Sequence, residues 1–295
     1  MHIQNDTLHI AGLRVTFQRT LRIPDDGRTW PLPPGLGAFP LRRVEDYAHR
    51  VPRLWRERGG VMLPMYQREA MWLSFQQAWP PCALKVGVGK VCAITGKPWK
   101  ERLRRKTQDY VVPGTQPWLD GICVAEGRIR QFVAMPLGQG TTVEEQVAGT
   151  EDVGGLQRKV FPAKPGRFPP PVKMRARRAA APCAAPMVCE SSAGMGLAAG
   201  GSMKQKIHKD PWGRDSWDAR RAERVFVHLV DALSWREITG EEAPKTPVTA
   251  QEYRRHGLPW FELYEEHIPA VKGGKKLNEV KGLGHWFKEL RGGSW

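Results

Sequence analysis

Residues Gly121–Leu137 read GICVAEGRIRQFVAMPL. Two arms rich in Ile, Val and Phe flank the polar pair Glu126-Gly127, which is the pattern of a β-hairpin with its turn at that pair. Working outward, Leu84, Val86 and Val88 alternate with Lys85, Gly87 and Gly89, and Val91–Ile94 returns beside them. Earlier still, Leu8 and Ile10, then Leu13, Val15 and Phe17, show the two-residue period of half-buried strands, broken at Ala11-Gly12. Gly154–Phe161, GGLQRKVF, supplies another short strand. Short helices are expected at Val44–Val51 and Gln67–Gln77, and PLPPGLGAFP over 31–40 holds too much proline and glycine for a regular element. The expectation for 1–163 is a β-rich, mostly antiparallel body.

After it comes KPGRFPPPVKMRARRAAAPCAAPMVCESSAGMGLAAGG, residues 164–201. So few branched and aromatic residues cannot offset the entropy of ordering, so the stretch reads as a disordered linker or insertion. Residues 202–295 read as a smaller, mixed body. Within it, VFVHLV (225–230) suits a buried strand or the start of a helix through Leu233, Trp235 and Ile238. Thr249 and Glu252 form a capping box for a helix over 250–256, which Gly257 stops. The fold class expected is α+β. Contacts are expected across 164–201, between Val225–Trp235 and the sheet ending near Phe161.

Composition narrows the function classes. The chain has 295 residues and a formal net charge of +16. Residues 161–200 carry six basic residues and one acidic one, so most of the excess positive charge lies elsewhere. No run of eighteen apolar residues exists, which argues against a membrane-spanning helix. MHIQNDTLHIAGLRV lacks the features of a secretory signal, and a cytoplasmic address is expected. The five cysteines are odd in number and form no CxxC pair. Cys82, Cys92 and Cys123 sit among apolar residues and read as buried thiols, while Cys183 and Cys189 fall in the linker. No two of the eight histidines share metal-ligand spacing on one element, so neither metal nor cofactor is expected.

Four sets of residues are candidates for chemistry or binding. Lys97–Lys106, KPWKERLRRK, places Lys97, Lys100, Arg102, Arg104, Arg105 and Lys106 around Trp99. Basic runs with an interleaved aromatic grip phosphates and stack on bases; arginines at 175–178 could add to it. A solvated basic face in an arginine-rich composition is the plainer reading. Gly138, Gly140 and Thr141 lie in a strand–glycine turn–helix start that can present backbone N–H groups to an anion. Its spacing matches no phosphate motif, and Glu144 and Glu145 would repel an anion there. His228 and Asp231 would form an acid–base pair on a helix but point to opposite faces on a strand. Trp30, Trp79, Trp99, Trp118, Trp212 and Trp260 sit beside proline or glycine or in turns, where aromatics rigidify loops or anchor a partner. Asp210, Asp215 and Asp218, around Trp212 and Trp217, read as a polar, aromatic-anchored loop rather than a cation site.

IRQFVAMPLGQGTTVEEQ (129–146) and WREITGEEAPKTPVTAQEYRRHGLPWF (235–261) resemble segments of a family of bacterial hypothetical proteins with no assigned activity. The resemblance implies no catalytic residue or cofactor. It implies one ancestral unit with an insertion between its halves. The function expected is a non-catalytic cytoplasmic binding or assembly module, with Trp118, Trp212 and Trp260 on its loops and a basic surface, its partner a protein or a polyanion. An enzyme acting on a phosphorylated or sugar-like substrate at Gly138–Gly140, and a sequence-independent nucleic-acid binder, are the alternatives.

Overall fold

The hairpin over Gly121–Leu137 forms about its expected turn: Cys123 pairs with Ile129 and Ala125 with Arg128, with Gly127 at φ 72°. The computed structural model containing it describes residues 1–23, 25, 27–77, 79–149, 154–169, 195–245, 277, 279 and 280. The helix expected over 250–256, Trp260, the arginines at 175–178, Cys183 and Cys189 lie outside the described residues.

Sixteen strands are present among the described residues, all in one sheet. In chain order they are β1 (His2–Gln4), β2 (Thr7–Ile10), β3 (Leu13–Thr20), β4 (Thr29–Trp30), β5 (Gly35–Ala38), β6 (Arg42–Arg43), β7 (Val61–Met65) and β8 (Ala70–Gln77). There follow β9 (Cys82–Val88), β10 (Val91–Cys92), β11 (Trp118–Leu119), β12 (Gly121–Ala125), β13 (Arg128–Pro136), β14 (Leu156–Pro162), β15 (Met195–Lys204) and β16 (Glu223–Asp231). Three short α-helices accompany them among the described residues, α1 (Arg53–Arg58), α2 (Val143–Ala148) and α3 (Ala232–Thr239), with 3-10 turns at Val44–Tyr47 and Arg214–Ser216. The main path runs β1-β2-β3-β8-β13-β15-β16-β14-β9-β10. Pairing is antiparallel except for β16 with β7 and β15 with β4. The fold is thus β-rich, and strands before and after 164–194 hydrogen-bond to each other: β13 lies beside β15, and β14 beside β16.

Alternation explains most of these strands. Leu8, Ile10, Leu13, Val15 and Phe17 are all buried, with the turn at Ala11-Gly12 in the left-handed region. Register then fixes two faces for β9, β14 and β16. Leu156, Val160, Val86, Val88, Val225 and Val227 point to the main core, and the residues between them point outward. Arg158 is on the core side, with its guanidinium 4.3 Å from the Phe17 ring centroid. Since β3 and β14 are far apart along the sheet path, this contact means that the sheet curls over its own core. Burial pushes the Arg158 pKa down to about 9, and its side-chain nitrogens have no hydrogen-bond partner.

Three local expectations are corrected. Gln67–Gln77 forms no helix; β8 occupies Ala70–Gln77 and pairs with all eight residues of β3. Met71, Leu73 and Phe75 alternate into the core, so the two-residue period, not the helical one, governs this stretch. In the proline-rich stretch over 31–40, Gly35–Ala38 becomes β5 on the edge of β3. A Cβ on Gly35 would stand 3.1 Å from the Trp72 ring, so glycine lets this strand approach. The disordered segment assigned to 164–201 is corrected at both described ends: Lys164 and Phe168 pack against 212–217, and Met195–Gly201 begins β15 and is buried. Its glycines and alanines suit a central strand whose space is filled by neighbours. A Cβ on Gly196 would lie 2.8 Å from the Thr142 side chain and 2.9 Å from Leu137. At 225–230 the strand alternative holds: VFVHLV lies in β16, which ends at Asp231, and the helix carrying Leu233, Trp235 and Ile238 is a separate element, α3, beginning at Ala232.

Candidate basic cleft

Outward-facing positions of the curled sheet build the site. Register sets Lys85 (β9), Lys159 (β14) and Arg224 (β16) side by side in one row. Like charges directly opposite one another destabilise a sheet unless compensated. The segment 97–109 supplies the compensation. Glu101 accepts hydrogen bonds from Lys159 Nζ at 2.7 Å and Arg224 Nη1 at 2.5 Å. Burial works to raise the Glu101 carboxyl, but Lys159, Trp99 and Arg224 together hold it below its usual value. Asp109 pairs with Lys85 at 2.6 Å, with both side chains fully buried. Lys85 Nζ also donates to the carbonyls of Lys100 (2.7 Å) and Arg102 (3.0 Å), so all three ammonium donors are used.

The basic run is therefore two-sided. Trp99 lies against the sheet where Gly87 leaves room: a Cβ on Gly87 would be 2.7 Å from the indole. Lys85 Nζ stands 5.0 Å from the Trp99 ring centroid. Arg104 turns inward too, donating to Pro98 O at 2.8 Å and ion-pairing with Asp109 at 3.6 Å. Of the seven residues proposed from sequence, these two serve the loop. Lys97, Lys100, Arg102, Arg105 and Lys106 are exposed on its other side.

Opposite Arg102 and Arg105 stands a second wall. The turn Arg214–Ser216 is stitched to the end of β14, with Lys164 N donating to Ser216 O (2.9 Å) and Asp218 N to Pro162 O (2.8 Å). Between the walls lies a cleft of about 710 Å³, lined by Arg102, Arg105, Lys164, Arg214 and Arg220, with Trp217 beside them. Leu103 and Phe161 add apolar surface. Its two acids are already engaged: Asp215 by Arg214 at 2.6 Å and Asp218 by Arg221 at 2.9 Å. The hydrogen bond from Arg221 holds the Asp218 carboxyl below its usual range. Arg102, Arg105, Lys164 and Arg220 are exposed, and among the described residues their side chains make no hydrogen bond or ion pair. A neighbouring hollow of about 370 Å³ shares Arg102 and Arg105 and adds Lys97, Lys100 and Lys106.

Asp210 organises the aromatic side of the cleft. Its carboxylate accepts from Tyr110 OH (2.7 Å), Trp217 Nε1 (2.8 Å) and the Trp212 backbone N–H (2.8 Å). Trp217 stacks on Phe168 at 5.8 Å, and Trp212 meets both rings edge-on at 5.5 and 5.9 Å. Trp79 abuts the far side of this group, 5.8 Å from Phe168.

The other sequence candidates lie elsewhere. At Gly138–Thr142 the site of the expected anion is filled from within. The Glu145 carboxylate accepts from Gly138 N, from Thr142 N at 3.0 Å and from Thr142 Oγ1 at 2.9 Å. The capping box is thus Thr142 with Glu145; Thr141 is buried, as is Glu144. Trp118 is 7% exposed on β11, inside the main core. His228 and Asp231 sit three apart on β16, pointing to opposite faces, so the structure does not bring them together as an acid–base pair. Asp231 caps α3, accepting from Leu233 N and Ser234 N. His228 donates from Nε2 to Gly59 O at 3.0 Å and stacks on Trp55 at 4.7 Å. Cys82, Cys92 and Cys123 are buried free thiols. No cluster suited to a metal ion occurs among the described residues, and no described helix is long and apolar enough to cross a membrane.

His228 gives a pH prediction. Burial pushes its pKa down to about 4, with the nearby Arg58 charge acting the same way, against an ordinary value of 6.5. Between those values the unfolded state binds a proton that the folded state does not, so stability falls as pH drops from 6.5 toward 4 and is unaffected above 6.5. The loss is on the order of 3 kcal/mol. Urea unfolding across this range should show a steeper acid-side loss for the wild type than for His228→Gln. An imidazole NMR titration with its midpoint near 6.5 would contradict the assignment.

Basic runs with aromatics are visible in sequence, but the partners of this one were missed. Lys85, Lys159 and Arg224 each follow or precede a core valine in a strand, and only the register of three distant strands puts them in a row. Lys164, Arg214 and Arg220 come from two other segments and carry no local signal, and Trp217 reads in sequence only as part of an aromatic-anchored loop. Compared with family models, curated proteins and solved structures, the chain matches none, so its functional reading rests on this geometry.

Proposed function

We propose that the protein is a non-catalytic module that binds a nucleic acid as a polyanion, without sequence preference, in the cleft between 102–105 and 214–220. The observation that carries this reading is the convergence of Arg102, Arg105, Lys164 and Arg220, which have no acidic partner among the described residues, on one concave surface beside Trp217. Exposed cations held by a fixed scaffold attract phosphates at little cost in ordering. A solvated basic face would scatter such charges. Here the chain spends Glu101 and Asp109 on neutralising the sheet and leaves the outer side of the loop positive.

For the whole chain we retain an α+β organisation in which the low-complexity segment is an insertion within one unit. In support, β14 precedes that segment, β15 follows it, and both belong to the same sheet.

The direct test is an anisotropy titration with labelled mixed-sequence oligonucleotides and, in competition, inorganic polyphosphate. The expected outcome is saturable binding at about 50 mM salt that is displaced by polyphosphate and weakens steeply by about 200 mM. An absence of binding at the lower salt would overturn the reading.

A further inference from the structure

We infer that the nucleic acid taken by this cleft is single-stranded, with its bases stacking on Trp212 and Trp79; the inference rests on the polyanion reading above. Among the described residues only four large apolar side chains are markedly exposed, and two of them are Trp79 (47%) and Trp212 (37%). Both flank Phe168, which connects them to Trp217 in the cleft. The rings thus continue outward from Trp217, which lines the cleft with the cations.

Their exposure is not a sign of looseness. Trp79 Nε1 donates to Pro169 O at 2.9 Å, and the Trp212 backbone N–H is held by Asp210. Fixed aromatic surface beside a cationic groove is how single strands are held without sequence readout, because every base offers a π-face. In a duplex those faces are already stacked on one another. Shape agrees. A cleft of about 710 Å³ is of small-ligand size, which suits the phosphates and sugars of one strand. Phosphates of a flexible strand can enter between Arg102 and Arg220 while adjacent bases lie on the tryptophans.

The experiment compares four probes on the full chain: a thymidine oligonucleotide of about twelve nucleotides, its RNA counterpart, a duplex of the same length and inorganic polyphosphate. The single strands are expected to bind at least about tenfold tighter than the duplex. Trp79→Ala/Trp212→Ala should weaken single-strand binding about tenfold or more and leave polyphosphate binding unchanged. Comparing the DNA and RNA arms reads whether the 2′-hydroxyl contributes. In the wild type, the single strand should quench tryptophan emission and polyphosphate should not, a readout independent of how the variant folds. Equal affinity for duplex and single strand, with no quenching, would overturn the inference while leaving the polyanion reading standing. Failure of all four probes to bind would overturn both.

Discussion

Reversing three charges, in Arg102→Glu/Arg105→Glu/Arg220→Glu, is expected to abolish nucleic-acid binding without affecting the fold. These side chains are exposed and make no ion pair or hydrogen bond among the described residues. Surface changes of that kind shift stability by about 0.5 kcal/mol or less. Their effect on binding is of another order. A contact between unit charges at 4 Å is worth about 1 kcal/mol in water, and reversal changes each contact by about twice that. Three reversals therefore predict a loss on the order of a thousandfold or more, read by anisotropy at low salt. Thermal melts of the variant should overlay those of the wild type. If binding survives with an unchanged fold, the cleft is not the site.

Lys85→Met is expected to cost more in stability than any other single substitution near the cleft. Lys85 is fully buried and joins β9 to the basic loop through Asp109 and the carbonyls of Lys100 and Arg102. Methionine matches its length but leaves the Asp109 carboxylate buried without its closest cation. Breaking a buried pair from one side costs about 3–5 kcal/mol, because an uncompensated charge remains inside. The melting temperature should fall by about 10 °C or more. The double variant Lys85→Met/Asp109→Leu should regain part of the loss, since it removes both charges. Binding should weaken as well, because the loop carrying Arg102 and Arg105 loses its fastening. A Lys85→Met melt within about 1 kcal/mol of wild type would show that the row of cations does not need the loop.

The division between what was legible in the sequence and what was not follows the range of each interaction. The hairpin about Glu126-Gly127 and the β2–β3 pair were readable because turn chemistry and a two-residue period act within a dozen residues. Ala70–Gln77 was misread because Ala70 and Trp72 are apolar between the inward Met71, Leu73 and Phe75, which hides the period. Met195–Gly201 was misread for a different reason. A strand of glycine and alanine looks too poor to fold until Leu137 and Thr142 are seen to fill its space. The same applies to the site. The run 97–106 was visible as charge, but the direction of each side chain depends on Glu101 and Asp109 finding cations on three strands far away in sequence. The glycine turn at 138–140 was legible as a helix start, and its occupant is the chain's own Glu145.

The salt dependence of binding tests the central claim most directly. Each phosphate neutralised on a single strand contributes about −0.7 to the slope of log affinity against log salt, so Arg102, Arg105, Lys164 and Arg220 together predict about −3 from this cleft. The neutralised variant Arg102→Gln/Arg105→Gln/Arg220→Gln should therefore show a slope shallower than wild type by about 2. Equal slopes for the two proteins would contradict the account.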